Sequence, residues 1–257
     1  MSDQLKIHFY VATSAEAQEA FAVLKELYGQ HSAEDADIIV PLGGDGTMLA
    51  ALHDHFKLNK PFFGMNLGTI GFQLNPYQAE DLIERINGAR AYDMHPLKMT
   101  ATTADGEEVE AIGFNEVALF RETSHAAKIR IFIDDKEQMK ESLIGDGILV
   151  STPSGSTAYN FSAGGSIIPL GSSVLALTPL APFRPRRWKG ALLPNEVKIR
   201  FEVIEPEVRQ VRVETASRMF SKVKDVEVRE SRSYTVRMLF DPDHNLEDRI
   251  LNEQFMP

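Results

Sequence analysis

The chain has no cysteine among its 257 residues. That excludes disulfides, thiolate metal sites and a cysteine nucleophile. Nor is there an apolar run near the ~20 residues that a membrane-crossing helix needs. The opening residues, Met1-Ser-Asp-Gln-Leu-Lys-Ile7, lack the basic-then-apolar pattern of a secretory signal. Basic charge is also scarce: 27 Lys and Arg stand against 37 Asp and Glu, a formal net charge of −10, and the sequence pI is about 5.2. This balance disfavours general binding to nucleic acid or to anionic membranes. The one basic cluster, Arg184-Pro-Arg-Arg-Trp-Lys189, reads first as an exposed loop or subunit contact and second as a contact to nucleotide phosphates. No internal repeat or low-complexity tract is visible. What is left is an ordinary globular composition, 43% hydrophobic and 25% charged. It suits one large or two small domains in the cytoplasm, with no nucleic-acid or membrane partner.

Against that background one stretch stands out: Asp37-Ile-Ile-Val-Pro-Leu-Gly-Gly-Asp-Gly-Thr-Met-Leu49. It reads as a buried strand, a glycine-packed turn and the start of a helix. Gly43, Gly44 and Gly46 let another group approach the backbone closely. A helix following such a turn aims its free N–H groups and positive dipole end at it, an arrangement suited to phosphate. Asp45 does not belong in a plain phosphate cradle. A carboxylate beside phosphate is repulsive unless it holds a cation or takes a proton from an attacking hydroxyl. Glycines with one acid therefore point to phosphoryl transfer.

The first third of the chain alternates strand and helix patterns. Strands are expected over Lys6–Ala12, Ile38–Leu42 and Pro61–Met65, and helices over Ala15–Tyr28 with Ser14 as cap, Thr47–Phe56 and Tyr77–Gly88. Such alternation argues for a parallel, Rossmann-like sheet, with ligands at the carboxyl ends of strands. Both glycine turns, 43–46 and 68–71, lie at strand ends. After Pro96 short strands dominate. Asp105-Gly106 signals a type I′ hairpin, and Lys128–Ile133, Val197–Val203 and Tyr234–Phe240 alternate with period two. The expected division is an α/β domain over 1–95, joined by 241–257, and a mostly-β domain over 96–240. Asn245 would cap a final helix packing back on the first domain.

Two further sets of residues carry chemistry. Gly145-Asp-Gly-Ile-Leu-Val-Ser-Thr-Pro-Ser-Gly-Ser-Thr-Ala-Tyr159 joins a short buried strand to a turn rich in hydroxyls, which can contact phosphate or ribose or simply make the turn. Tyr159 can stack on a base or anchor the turn. Asn115-Glu116 interrupts the apolar run Ile112–Phe120, a costly placement unless both find partners. An amide can read adenine and a carboxylate can accept from ribose hydroxyls; a satisfied strand-end pair is the plainer alternative. His53 and His55 are two apart on an expected helix and share no face.

Gly43-Gly44-Asp45-Gly46-Thr47 resembles the signature shared by NAD kinases, lipid kinases of the diacylglycerol type and, in a variant, 6-phosphofructokinases. Joined in order to Asn66-Leu-Gly-Thr-Ile-Gly-Phe72, Asn115-Glu116, Gly145-Asp146-Gly147, Thr152-Pro-Ser-Gly-Ser-Thr-Ala-Tyr-Asn-Phe-Ser-Ala-Gly-Gly165 and Leu177-Thr-Pro-Leu-Ala-Pro-Phe183, it resembles the NAD kinase family from about residue 36 to the end. The resemblance implies phosphorylation of the adenosine-ribose 2′-hydroxyl of NAD by ATP or polyphosphate. A divalent cation, Mg²⁺ or Mn²⁺, would ride mainly on the donor phosphates, and the enzyme would be a homodimer or homotetramer. It implies Asp45 as general base, Gly44, Gly46 and Thr47 on phosphates, and Asn115 and Glu116 on the adenosine half of NAD. Asp146 would take the nicotinamide half, with Ser154, Thr157, Ala158, Tyr159 and Ser162 lining the dinucleotide cleft; Asp45 and Gly46 also belong to the NAD-binding set. Two departures touch donor or substrate preference rather than the base. The family's late Asp-Gly or Asp-Asn pair is replaced by Arg212-Val-Glu-Thr-Ala-Ser-Arg218, with Glu214 nearby, and a usual histidine is Phe183. The rivals are a lipid kinase of the same superfamily and a sensor that binds NAD or NADP without turnover.

Overall fold

Strand and helix do alternate in the first third, and the strands there run parallel. They are β1 (Ile7–Val11), β2 (Ile38–Gly43), β3 (Met65–Asn66) and β4 (Asn75–Pro76), hydrogen-bonded in that order. Between and after them lie α1 (Ala15–Tyr28), α2 (Asp45–His55), α3 (Leu82–Gly88) and β5 (Arg90–Met94). Every residue of β2 is buried, as a strand covered on both faces requires. Ser14 caps α1, its Oγ accepting from the Ala17 N–H at 3.3 Å. Leu24 of α1 joins Ile7, Phe9, Ile38 and Val40 in one core. The computed structural model describes residues 5–68 and 71–243. It divides into unit 1, residues 1–94 with 233–257, and unit 2, residues 95–232.

Unit 2 is built from β6 (Leu97–Thr103), β7 (Glu108–Gly113), β8 (Glu116–Arg121), β9 (Ala127–Ile133), β10 (Lys136–Glu137), β11 (Leu143–Gly145) and β12 (Gly147–Ser151). After the short helix α4 (Tyr159–Ser162) come β13 (Val174–Leu180), β14 (Ala191–Pro194), β15 (Ile199–Val203), β16 (Val211–Glu214), β17 (Met219–Phe220) and β18 (Val223–Glu230). They form two antiparallel sheets, one ordered β10-β9-β15-β18-β6-β7 with β11 also on β9, the other β14-β13-β12-β8-β16-β17. Ile129, Ile131, Phe201 and Val226 of the first sheet share a core with Val117, Leu119, Ile148, Val150 and Val213 of the second. Period-two alternation then turns Glu116, Ala118 and Phe120 of β8 to the opposite face. The register sets Ser151, Leu149 and Gly147 beside them on β12 and Glu214 and Arg212 on β16.

Several sequence expectations change. α2 begins at Asp45 rather than Thr47, so the acid sits in the first helical turn. The helix expected from Tyr77 shrinks to α3, entered through Asp81 at φ 57°. Pro61–Met65 supplies only a bridge at Phe62 before the two-residue β3. The Asp105-Gly106 turn is not type I′, which needs positive φ at both central residues. Only Gly106 is left-handed, at φ 87°, and its N–H donates to the Thr103 carbonyl, as in a three-residue loop. The last strand, β19 (Val236–Phe240), lies in unit 1 rather than in the β-rich domain. There it pairs antiparallel with β5 and exchanges backbone bonds with Phe62 through Arg237 and Leu239. The Arg85–Asp241 ion pair, 2.6 Å long, fastens its end. The helix expected from Asn245 lies outside the described residues.

The Gly145-Asp146-Gly147 segment proves to be a crossing. β11 belongs to one sheet and β12 to the other, and Asp146 is the residue between. A Cβ on Gly147 would lie 1.8 Å from the Leu119 carbonyl oxygen. Gly147→Ala must therefore push β12 off β8. It should cost about 3 kcal/mol or more, read as a lowered urea midpoint.

Candidate active site

In unit 1 the site is built around the turn from β2 into α2. Gly43 has a structural reason to be glycine, since a Cβ there would lie 2.3 Å from Thr47 Oγ1. Gly44 and Gly46 have no such reason. Among the described residues nothing lies within 4 Å of a Cβ on either. Gly44 is the N-cap of α2, a place glycine tolerates, but Gly46 lies inside the helix, where glycine costs up to about 1 kcal/mol against alanine. The Gly44 carbonyl accepts from the N–H groups of Thr47 at 2.9 Å and Met48 at 3.2 Å. The Asp45 and Gly46 N–H groups precede these and have no intrahelical acceptor. The Asp45 carboxylate is half-buried and gripped from the second glycine turn. Its Oδ2 accepts from the Phe72 N–H at 2.9 Å and its Oδ1 from the Gln73 N–H at 3.0 Å. Asn66 closes the start of that turn on itself, through Gly68 N–H to Oδ1 and Nδ2–H to the Gly68 carbonyl. Unit 1 thus presents open backbone N–H groups beside an oriented carboxylate.

Within unit 2 itself the candidate region is the outer face of the six-stranded sheet and the segment that follows β12. Asn115 is buried, and its carbonyl accepts from the Thr152 N–H at 2.9 Å. The next turn, Ser154–Thr157, packs directly on it, for a Cβ on Gly155 would lie 2.2 Å from the Asn115 carbonyl oxygen. Asn115, Glu116, Ser154 and Thr157 are thereby brought together. Glu116 Oε2 is buried without a hydrogen-bond partner, and burial pushes the carboxyl up to about 7. Tyr159, 39% exposed, lies over Phe120 with ring centroids 5.8 Å apart, and Arg212 covers Phe120 at 4.9 Å. Burial first, then the negative charges of Glu116, Asp146 and Glu214, raises the Tyr159 phenol. Ala158 forms the junction between the turn and α4, and Ser162 closes α4 on the exposed side.

The sequence missed some of these partners. Asp146 is ion-paired to Arg121, whose Nη1 also donates to the carbonyls of Thr123 and Ser124. Glu214 pairs with Arg212 on the same face as Glu116. An arginine closing the apolar run of β8 was the one visible signal for Arg121; the Phe120–Arg212 contact depends on strand register and left none. Phe183 is 58% exposed, with Arg184 and Arg186 each 5.7 Å from its ring.

Residues 4–91 match the family model described as ATP-NAD kinase N-terminal domain, and residues 114–239 match the ATP-NAD kinase C-terminal domain. A protein named NAD kinase from Brucella suis is 49% identical over 98% of this chain and 97% of its own length. Another from Xylella fastidiosa is 48% identical over 97% and 96%. The chain belongs to the NAD kinase family. In fold it resembles yeast NADH kinase, solved with NADH, at TM-score 0.81 and 20% identity over 98% of this chain and 88% of that one. It also resembles the Archaeoglobus fulgidus NAD kinase solved with ATP, at TM-score 0.73 and 23% identity over 97% of each. The family's ordered motifs fall on both units: the glycine turns in unit 1, Asn115–Glu116 and Ser154–Ser162 in unit 2.

The raised Glu116 carboxyl has a stability consequence. The folded state holds its proton to about pH 7, whereas an unperturbed glutamate releases it near 4.5. The favourable contribution is therefore full below pH 4.5 and lost as pH rises through 7. Glu116→Gln should stabilise the fold at pH 8 by up to about 3 kcal/mol, seen as a raised Tm. The gain should vanish at pH 4.5, as calorimetry at the two pH values will read.

Proposed function

We propose that this protein transfers the γ-phosphoryl group of ATP to the 2′-hydroxyl of the adenosine ribose of NAD, giving NADP and ADP. The observation carrying the reading is the Asp45 carboxylate, held by two backbone N–H groups at the start of α2 beside two glycines with open surroundings, in a chain that belongs to the NAD kinase family. Asp45 takes the proton of the hydroxyl as its oxygen bonds to the γ-phosphorus and the bond to the ADP oxygen breaks. Each carboxylate oxygen accepts only one of the two N–H bonds and keeps a lone pair for the proton. The glycine turn and the N-terminus of α2 offer donors to phosphate oxygens, with Thr47 at their edge. Asn115 and Glu116 hold the adenosine half of NAD. Glu116, short of a partner for Oε2, gains one from a ribose hydroxyl. Ser154, Thr157, Ala158, Tyr159 and Ser162 complete the acceptor's surroundings, and Asp146, fixed by Arg121, serves the nicotinamide half.

A divalent cation, Mg²⁺ or Mn²⁺, belongs to the same proposal and is placed on the donor phosphates, where it would neutralise charge. Among the described residues no three His, Asp or Glu side chains group to hold an ion, and the turn at α2 offers N–H donors rather than cation ligands. Polyphosphate as a second donor, a cytoplasmic location and assembly into a homodimer or homotetramer rest on the family likeness. Assays with each donor and light scattering test the first and last of these.

Asp45→Asn should lower turnover by about 10²–10⁴-fold, the usual contribution of a general base, with NAD affinity kept. Asparagine offers an acceptor to only one of the two N–H groups, so a loss of about 1–3 kcal/mol should accompany it. Turnover within a few-fold of wild type would remove Asp45 as the base. NAD at ~100 times Kd should stabilise the wild-type chain by about 2.7 kcal/mol. A melting curve indifferent to both NAD and NADP at millimolar concentration would exclude this reading.

A further inference from the structure

The chain between β12 and β13 contains only a single 3-10 turn, Ser154–Thr157, and the four-residue α4. Yet it carries Tyr159 and Ser162 at the surface. So short a helix has no stability of its own, so something else must hold these residues in one orientation. Asn160 lies between them and is fully buried. Its Nδ2 donates to the carbonyls of Ser156 at 3.1 Å and Ser166 at 3.0 Å, and its Oδ1 accepts from Thr178 Oγ1 at 2.7 Å. Its backbone carbonyl accepts from the Gly165 N–H at 2.8 Å. The fit is tight, for a Cβ on Gly165 would lie 2.1 Å from Asn160 Oδ1 and 2.5 Å from Thr178 Oγ1.

Thr178 is the part of this network that belongs to the sheet. It lies on β13, opposite Leu149 of β12, which lies opposite Ala118 of β8. Phe120, two residues along β8, touches Tyr159. α4 is therefore tied to one sheet face twice: through the buried Thr178–Asn160 hydrogen bond and through the Phe120–Tyr159 ring contact. In a helical turn the neighbours of an inward residue are rotated away from it. Asn160 pointing in leaves Tyr159 and Phe161 pointing out, 39% and 42% exposed.

We propose that Thr178 and Asn160 are a positioning pair for the acceptor: their hydrogen bond sets the orientation in which Tyr159 and Ser162 meet the dinucleotide. Neither side chain touches substrate; both act through α4. The inference rests on the function proposed above and adds to it the device that makes the acceptor surface rigid before binding. The phosphate-binding turn of unit 1 plays no part in the network, so donor binding is independent of it.

The test is steady-state kinetics on the full chain with Thr178→Val, which keeps the shape and removes the hydroxyl, and with Thr178→Ser, which restores a donor. Thr178→Ala serves as a second variant lacking the hydroxyl should Val crowd Gly165. The expected result is a KM for NAD raised roughly tenfold, as small misplacements near a site can do. The kcat and the KM for ATP should stay within about twofold, and Ser should return the KM for NAD to near wild type. A purely structural role would lower Tm and active fraction while leaving both KM values alone. An unchanged KM for NAD in the variants without a hydroxyl overturns the proposal, as does a rise shared equally with ATP. Wild type in the same assay separates the two levels. If it makes no NADP, the function reading falls and takes this proposal with it.

Discussion

The two-sidedness of strand β8 is the constraint on which unit 2 depends. Val117 and Leu119 are committed to the sandwich core, so Glu116, Ala118 and Phe120 have no choice but the other face. Both edges of β8 are bonded, to β12 and to β16, so the strand cannot slip. A one-residue shift would exchange the two sets, burying the Glu116 carboxyl in the apolar core and turning Val117 and Leu119 out of it. The polar residues beside β8 inherit their places from this register. Ser151 lies opposite Glu116, Arg212 opposite Phe120, and Glu214 opposite Ala118. Burying the core fixes the chemistry on the opposite face, with no separate device needed to aim those side chains.

The glycines divide along the same line between packing and chemistry. Gly43, Gly147, Gly155 and Gly165 each face an atom that a Cβ would strike. Their presence follows from how strand, turn and helix approach one another. Gly44 and Gly46 face open space among the described residues. Nothing in the packing accounts for them, and Gly46 weakens the helix it begins. A position that violates helix propensity without a packing reason is where a ligand's need replaces the fold's. The glycine-rich sequence made all these positions look alike; the structure separates them by what surrounds each one.

Local signals were therefore legible and long-range ones were not. Ser14 and the periodicity of Ala17 and Leu24 gave α1 to the residue, since capping and amphipathicity are properties of neighbouring residues. The Asp45 turn was legible because an acid among glycines is locally out of place. The Asp45–Phe72 and Asp45–Gln73 bonds were not, since backbone N–H groups carry no residue identity. β19 looked like its neighbours in sequence and paired with β5 instead, because alternation reveals a strand but not its partner. The Arg121–Asp146 and Phe120–Arg212 contacts were hidden for the same reason: each joins residues that only the fold brings together. The type I′ expectation failed because Asp-Gly permits that turn without requiring it, and a loop one residue longer was available.

Charge shows how stability and function are set against each other in this chain. Glu116 is the acid that the fold treats worst: half-hidden, without a partner for Oε2, and held protonated to about pH 7. Asp146 and Glu214, on the same side of the sheet, each have an arginine. A fold selected for stability alone would give Glu116 an arginine too, or replace it with a neutral residue. The role proposed for Glu116, meeting a ribose hydroxyl, needs the reverse: a carboxyl group already stripped of water and short of a hydrogen bond, so that the ligand supplies the missing one. Desolvation spent in advance on the free protein then need not be spent again on binding. The same logic covers Asp45, with one difference. As the proposed base it must keep its direction while empty, and the Phe72 and Gln73 amides provide that direction without occupying both lone pairs of either oxygen. One carboxyl is left wanting a partner and the other is held in aim, as the proposed roles of hydroxyl acceptor and general base each require.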